Sequence, residues 1–299
     1  MSFRLKILNF TLRHFERRAL SWINAPATIR WRMNLQTAFF FRAPRKVPIA
    51  PEKLAHGQNS VPCLRISDGQ KGVLLFLHGG AYIFGSAKTH SKFVAKIAAD
   101  NDLTAYSVDY RLAPENPFPA AIDDAYTAYQ SLLGQGVLPE TITIAGDSAG
   151  GGLALALLHR ILAEGLPPPR NLIAFSPLTD QTLTSASLVE NADSEVMLPA
   201  EHFTRVRDMY LKSDFKNPLA SPLFGNFKDA PQVFLAVGTK EILRDDSLAL
   251  VAKLRKQGVS VTLDIGENTP HVWPFFHGLL PEANETLAKV KRFLSRPNP

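Results

Sequence analysis

Short, nearly continuous apolar runs recur along this 299-residue chain, and amphipathic stretches separate them. The runs fall at 61–66, 73–77 (VLLFL), 103–108 (LTAYSV), 141–145 (TITIA), 172–175, 233–237 (VFLAV) and 259–265. Helical patterns fall near 88–99, 120–133, 149–164, 246–257 and 283–294. A strand reading VLLFL has no polar face, so it must be covered on both sides. Such strands alternating with helices predict an α/β fold with a mostly parallel central sheet and helices on both faces. Two regions break the rhythm. Residues 1–50 read as two helical stretches with a break around Pro26, followed by a linker marked by Pro44, Pro48 and Pro51. Around 178–230, several prolines and a helix-like EHFTRVRDMYLK replace the expected short connection. The expected organisation is therefore N-terminal cap helices over 1–55 and a catalytic α/β domain over 56–299. A further cap insertion at about 178–230 covers the sheet together with the N-terminal helices.

Residues 142–150 place chemistry on this framework. The segment Gly146-Asp147-Ser148-Ala149-Gly150 follows the strand TITIA directly. It opens a helix in which Leu153, Leu157, Leu158, Ile161 and Leu162 recur at helical spacing. A G-x-S-x-G turn between strand and helix is a nucleophile elbow, which presents the serine on a sharp, strained turn at a helix N-terminus. Glycines on either side allow the turn and the close packing around it. A second strand-to-loop junction lies upstream, where VLLFL runs into His78-Gly79-Gly80-Ala81-Tyr82-Ile83-Phe84-Gly85. A glycine-rich turn of this kind can aim successive N–H groups into one concavity, as an acyl-transfer oxyanion requires.

HGGAYIFG, DYRLAPE (109–115) and GDSAGGG together make the chain similar to the hormone-sensitive-lipase family of α/β-hydrolases, the bacterial family IV esterases. The resemblance covers roughly residues 60–296. It implies an α/β-hydrolase fold with a helical cap, carboxylesterase activity, and an oxyanion hole formed by the N–H groups of Gly80, Ala81 and Ala149. Ala81 stands where the family has a third glycine, which predicts a working but slightly narrower hole. His78 is then structural. The resemblance also implies short- to medium-chain esters and a monomer or homodimer, with dimerisation through the strand near the C-terminus. Among family members, those acting on monoterpene lactones look most similar. A lactone or amide hydrolase with the same machinery is thus the alternative, and a receptor that has lost catalysis is a distant one.

A serine hydroxyl needs a base, and the base needs an orienting group. In this fold the chain order is Ser, acid, His. His202, His271 and His277 are the candidate bases; His271 follows the run VSVTLDI through a short loop, and the PHVW segment supports it by resemblance. For the acid, the family's first Asp after the strand VFLAVG corresponds here to Glu241, 30 residues before His271. Asp245 and Asp246 are the alternatives, although both read as residues of the next helix N-terminus. Activity is expected to fall on the acid side, because His271 must be neutral at rest. Tyr82, Phe84, Met197 and Trp273 are candidates to contact substrate, and Phe39, Phe40, Phe41, Phe275 and Phe276 are further candidates to line the site.

Other classes find little support. The histidines are scattered and no metal-ligand spacing occurs, so no metal and no cofactor is expected. No run of 18 apolar residues exists, and no apolar h-region with a cleavage site suggests a secretory signal. The lone Cys63 excludes an intramolecular disulfide and reads as a small buried hydrophobe, consistent with a cytoplasmic setting. Net charge is +6, yet residues 1–46 carry ten Lys and Arg against one acid, Glu16. The chain lacks an aromatic-basic nucleic-acid motif, so no nucleic-acid partner is expected. The basic N-terminus leaves two readings: a helix packing its apolar side on its own domain, or weak contact with an anionic membrane surface.

Overall fold

The computed structural model describes residues 1–22, 25–40, 44 and 47–296, without the side chains of 21, 22, 36 and 38–40. Eight strands form one sheet: β1 (Ile49–His56), β2 (Asn59–Ile66), β3 (Val73–Leu77), β4 (Thr104–Val108), β5 (Ile142–Asp147), β6 (Asn171–Phe175), β7 (Gln232–Gly238) and β8 (Val261–Gly266). Their order is β1-β2-β4-β3-β5-β6-β7-β8; β2 pairs antiparallel with β1 and β4, and the remaining pairs are parallel. β4, β5, β6 and β7 are buried at every residue, as their apolar runs require. Helices Ala87–Asn101 and Pro281–Leu294 cover one face, around Phe76, Phe93, Phe234 and Phe293. Helices Ala120–Gly134, Ala149–Ala163 and Arg244–Lys256 cover the other. Cys63 packs inside β2, where burial, with Glu52 and Asp109 nearby, pushes its thiol up to about 12 and leaves it inert.

Seven strands coincide with the apolar runs of the sequence. The eighth, β1, replaces the linker expected around Pro48 and Pro51, so residues 49–55 belong to the sheet and not to the cap. Only Leu54 in β1 is buried. An edge strand tolerates Pro51 and shows no apolar alternation, because one edge and most of its side chains face water.

Two segments lie outside the sheet and its covering helices. An α-helix Phe3–Thr11 continues through a π-helical turn, Leu12–Glu16, into Arg17–Trp22; a second helix, Pro26–Phe40, follows the break. The insertion contributes Ser187–Glu190 and Phe203–Tyr210 with short 3-10 turns between and after them. Arg13 donates to the carbonyls of Asp193 (2.8 Å) and Ser194 (3.2 Å), and Arg17 to that of Glu195 (2.8 Å), which ties the two parts together. Arg30 donates to the Ile83 and Ala113 carbonyls and pairs with Glu115, fixing the second helix to the loops above β3 and β4.

Candidate active site

The C-terminal ends of β3, β5, β7 and β8 converge beneath the cap. Between them lies an apolar cavity of about 880 Å³, into which Gly80, Ala81, Ser148 and His271 all open. Ser148 sits between β5 and helix Ala149–Ala163 with φ 53° and ψ −122°, a left-handed conformation that costs a serine on the order of 1–3 kcal/mol. The turn is over-determined by hydrogen bonds: the Ser148 N–H donates to the Phe175 carbonyl (2.8 Å), and its own carbonyl accepts from Gly152 and Leu178 (both 3.0 Å). Packing behind the elbow leaves no room for side chains. A Cβ at Gly150 would lie 2.1 Å from the Leu77 carbonyl oxygen and 2.3 Å from that of His78. Gly150→Ala is therefore expected to lower stability by more than about 4 kcal/mol, read as a large drop in urea midpoint.

The His78–Gly85 loop is held against this elbow. Asp147 accepts from the Gly79 N–H (2.9 Å) and faces His90 Nε2 at 3.4 Å; the Tyr110 hydroxyl donates to the His78 carbonyl (2.7 Å). Gly80 needs to be glycine: its φ is +126°, and a Cβ there would meet the Phe84 carbonyl oxygen at 2.1 Å. Ala81 has φ +54°, inside the left-handed region that an L-residue can reach at modest cost. Among the described residues, none of the N–H groups of Gly80, Ala81 and Ala149 donates to another protein group. His78 is fully buried and its imidazole is held down to about 3 by burial and by His90; its Nδ1 donates to the Gly79 carbonyl, and its ring stacks on Tyr110. It is a neutral bracing group.

His271 and Glu241 come together. Nδ1 of His271 lies 2.7 Å from Glu241 Oε2, with both side chains almost wholly buried. Glu241 Oε1 accepts from the Gly238 N–H (2.6 Å) and the Ser176 hydroxyl (2.8 Å). With Nδ1 committed to the carboxylate, the buried Nε2 has no protein partner among the described residues. Burial alone would lower the His271 pKa, but the hydrogen bond and charge of Glu241, with Glu195 and Asp147 behind them, raise it above the ordinary histidine value. This pair can orient an imidazole and stabilise it when protonated. Asp245 instead pairs with Arg244 and accepts from the Ser187 N–H, and Asp246 is a separate buried carboxyl pushed up to about 7, chiefly by burial. His202 and His277 line the same cavity, away from the Glu241 hydrogen bond.

Tyr82, Phe84 and Met197 line the cavity, as do Phe275 and Phe276. Trp273 does not. It is 1% exposed, packs in the core beneath helix Pro281–Leu294, and donates from Nε1 to Thr286 (3.1 Å). The residue adjacent in sequence to a site faces away because Val272, at φ +51°, turns the chain between them. Of Phe39 and Phe40 the side chains, and of Phe41 the whole residue, lie outside the described structure.

Several supporting residues carry no motif. Asn191 Nδ2 donates to the Glu241 carbonyl (2.8 Å); Ser187 exchanges hydrogen bonds with Asp245 and donates its hydroxyl to the Ile242 carbonyl (2.8 Å). The buried Glu195 accepts from Met197 (2.9 Å) and, more weakly, from Ile242 (3.4 Å). The first part of the insertion is thus sewn to the loop that carries Glu241. Its placement was legible only as a break in the strand–helix rhythm.

The profile of the alpha/beta hydrolase fold family matches residues 74–275. The chain is 37% identical over 222 residues to an acetyl-hydrolase of Streptomyces hygroscopicus, covering 74% of each chain. It is 37% identical over 223 residues to an esterase of Acinetobacter venetianus, again over 74% of each. Among solved structures it is similar to an esterase from the bacterial hormone-sensitive lipase family, with a TM-score of 0.91 and 32% identity over 98% of both chains.

Proposed function

The chain belongs to the bacterial hormone-sensitive-lipase family of α/β-hydrolases and is a carboxylic ester hydrolase; on that premise we propose that Ser148, His271 and Glu241 form its catalytic triad and that it cleaves short- to medium-chain esters through an acyl-enzyme. The observation that carries this reading is the buried His271–Glu241 hydrogen bond, which leaves Nε2 as the ring atom free to serve Ser148 across the same cavity.

In this mechanism His271 Nε2 takes the Ser148 proton as Oγ attacks the ester carbonyl carbon. The carbonyl oxygen becomes an oxyanion and accepts from the N–H groups of Gly80, Ala81 and Ala149, which need no reorganisation to receive it. Collapse of the tetrahedral intermediate breaks the bond to the alcohol oxygen, and His271 returns the proton to that leaving group. Water then attacks the acyl-enzyme with His271 again as base, releasing the acid and restoring the serine. A phosphonofluoridate tests the first half directly. It should add one phosphonyl group per chain, recovered on the peptide containing Ser148; recovery on any other residue overturns the assignment.

Cavity character supports the chain-length preference. Each methylene moved from water onto apolar walls contributes up to about 0.8 kcal/mol. From p-nitrophenyl acetate to butyrate, kcat/KM should therefore rise by up to about fifteenfold, and it should fall again for palmitate. Highest kcat/KM on palmitate would sink the short- to medium-chain reading.

A further inference from the structure

The helix Phe3–Thr11 is apolar on two opposite faces. Leu5, Leu8 and Leu12 point inward: Leu5 and Leu12 are buried, Leu8 packs on the core, and Leu8 and Leu12 line the cavity. Phe3, Ile7 and Phe10 recur at i, i+4, i+7 on the other side and stand 76%, 51% and 62% exposed. Successive helical residues turn by about 100°, so this outer stripe lies diametrically opposite the inner one. Both sequence readings of the basic N-terminus thus have a face of their own, because packing on the domain uses only one.

We propose that the outer stripe of helix Phe3–Thr11 docks on an anionic lipid surface, laying the cap and the cavity behind it against the bilayer. Phe3, Ile7 and Phe10 form a row of large apolar side chains that a water-facing helix has no reason to keep. Positive charge flanks the row: by helical position Lys6 and Arg13 border one side, and Arg4 the other. The whole segment 1–46 carries ten basic residues against one acid, whereas the remaining 253 residues hold 23 basic and 26 acidic side chains. An apolar stripe with basic borders is the pattern of an interfacial helix, and the charge complements anionic headgroups specifically. Trp31 and Leu35, 66% and 47% exposed on the second cap helix, add apolar surface to the same cap. Among the described residues no helix is long and apolar enough to cross a membrane, so the contact is peripheral. The inner face of the same helix walls the cavity, so the docked cap would separate lipid from the site by one helix.

Co-sedimentation of the full chain with vesicles of phosphatidylcholine alone, or with phosphatidylglycerol added, tests this. The protein should pellet with the anionic vesicles at low salt and be released by about 0.5 M salt, as screening shortens the electrostatic range to a few ångströms. Phe3→Ser with Phe10→Ser should weaken partition by at least about tenfold, while hydrolysis of soluble p-nitrophenyl butyrate stays at the parent rate. Arg4→Glu with Lys6→Glu should abolish the preference for anionic vesicles by a route independent of the apolar stripe. Failure of the parent to pellet with anionic vesicles at low salt overturns the proposal. So does a parent dimer that the double Phe change splits into monomers without altering vesicle binding, because the stripe would then be a seam between two copies.

Discussion

Exchanging Ser148 for alanine lowers kcat for p-nitrophenyl butyrate by roughly 10⁵- to 10⁶-fold, while melting temperature and circular dichroism stay those of the parent. The two halves of this expectation rest on different atoms. The turn is held by the Ser148 main chain, through Phe175, Gly152 and Leu178, and alanine reproduces all three hydrogen bonds. Only Oγ is lost, the atom proposed to form the acyl bond. Some acceleration over water should survive if, as proposed, the N–H groups of Gly80, Ala81 and Ala149 form the oxyanion hole. Retained turnover in a folded variant would mean that the nucleophile lies elsewhere, and the phosphonofluoridate adduct would then identify it.

The parts of this site that were legible in the sequence are those set by backbone geometry. Gly146, Gly150 and Gly80 mark places where a Cβ would strike main chain, so they punctuate the strand ends and reveal the two loops. The continuous apolar runs of β3 to β7 likewise announce strands covered on both faces. Illegible were features decided by tertiary placement. Pro51 and the polar residues of β1 look like a linker until an edge position excuses them. Trp273 is adjacent in sequence to a cavity residue, yet the positive φ of Val272 sends it into the core. Ser176, Asn191 and Glu195 reach Glu241 or its loop across 47 to 65 residues of chain, and no local pattern encodes such contacts. The choice between Glu241 and Asp245 is of this kind: Glu241 hydrogen-bonds His271, whereas Asp245 pairs with Arg244 and accepts from the Ser187 N–H.

Glu241→Gln carries the second large effect, a fall in kcat/KM of about 10³- to 10⁴-fold at mildly alkaline pH, because an amide cannot hold Nδ1 protonated or stabilise the imidazolium that forms. The pH profile of what activity remains is the sharper readout. In the parent, His271 must be neutral to act as base, and its pKa lies above the ordinary histidine value, so the acid limb of kcat/KM should begin above pH 6.5. In the variant, burial, which lowers the pKa, no longer meets the opposing charge of Glu241. The acid limb should then move to lower pH even as the plateau falls. Unfolding can be separated from titration by sign. A group whose folded pKa is raised favours the folded state below its unfolded value and loses that contribution as pH rises through the folded one. His271, Glu195 and Asp246 are all raised. Melting temperature should therefore hold or rise as pH falls from 8 to 6, across the range where parent activity is lost. Activity and melting temperature falling together would assign the acid limb to unfolding. Parent-like turnover in Glu241→Gln would remove Glu241 from the triad, and Asp245, already committed to Arg244 and Ser187, would have to leave both to replace it.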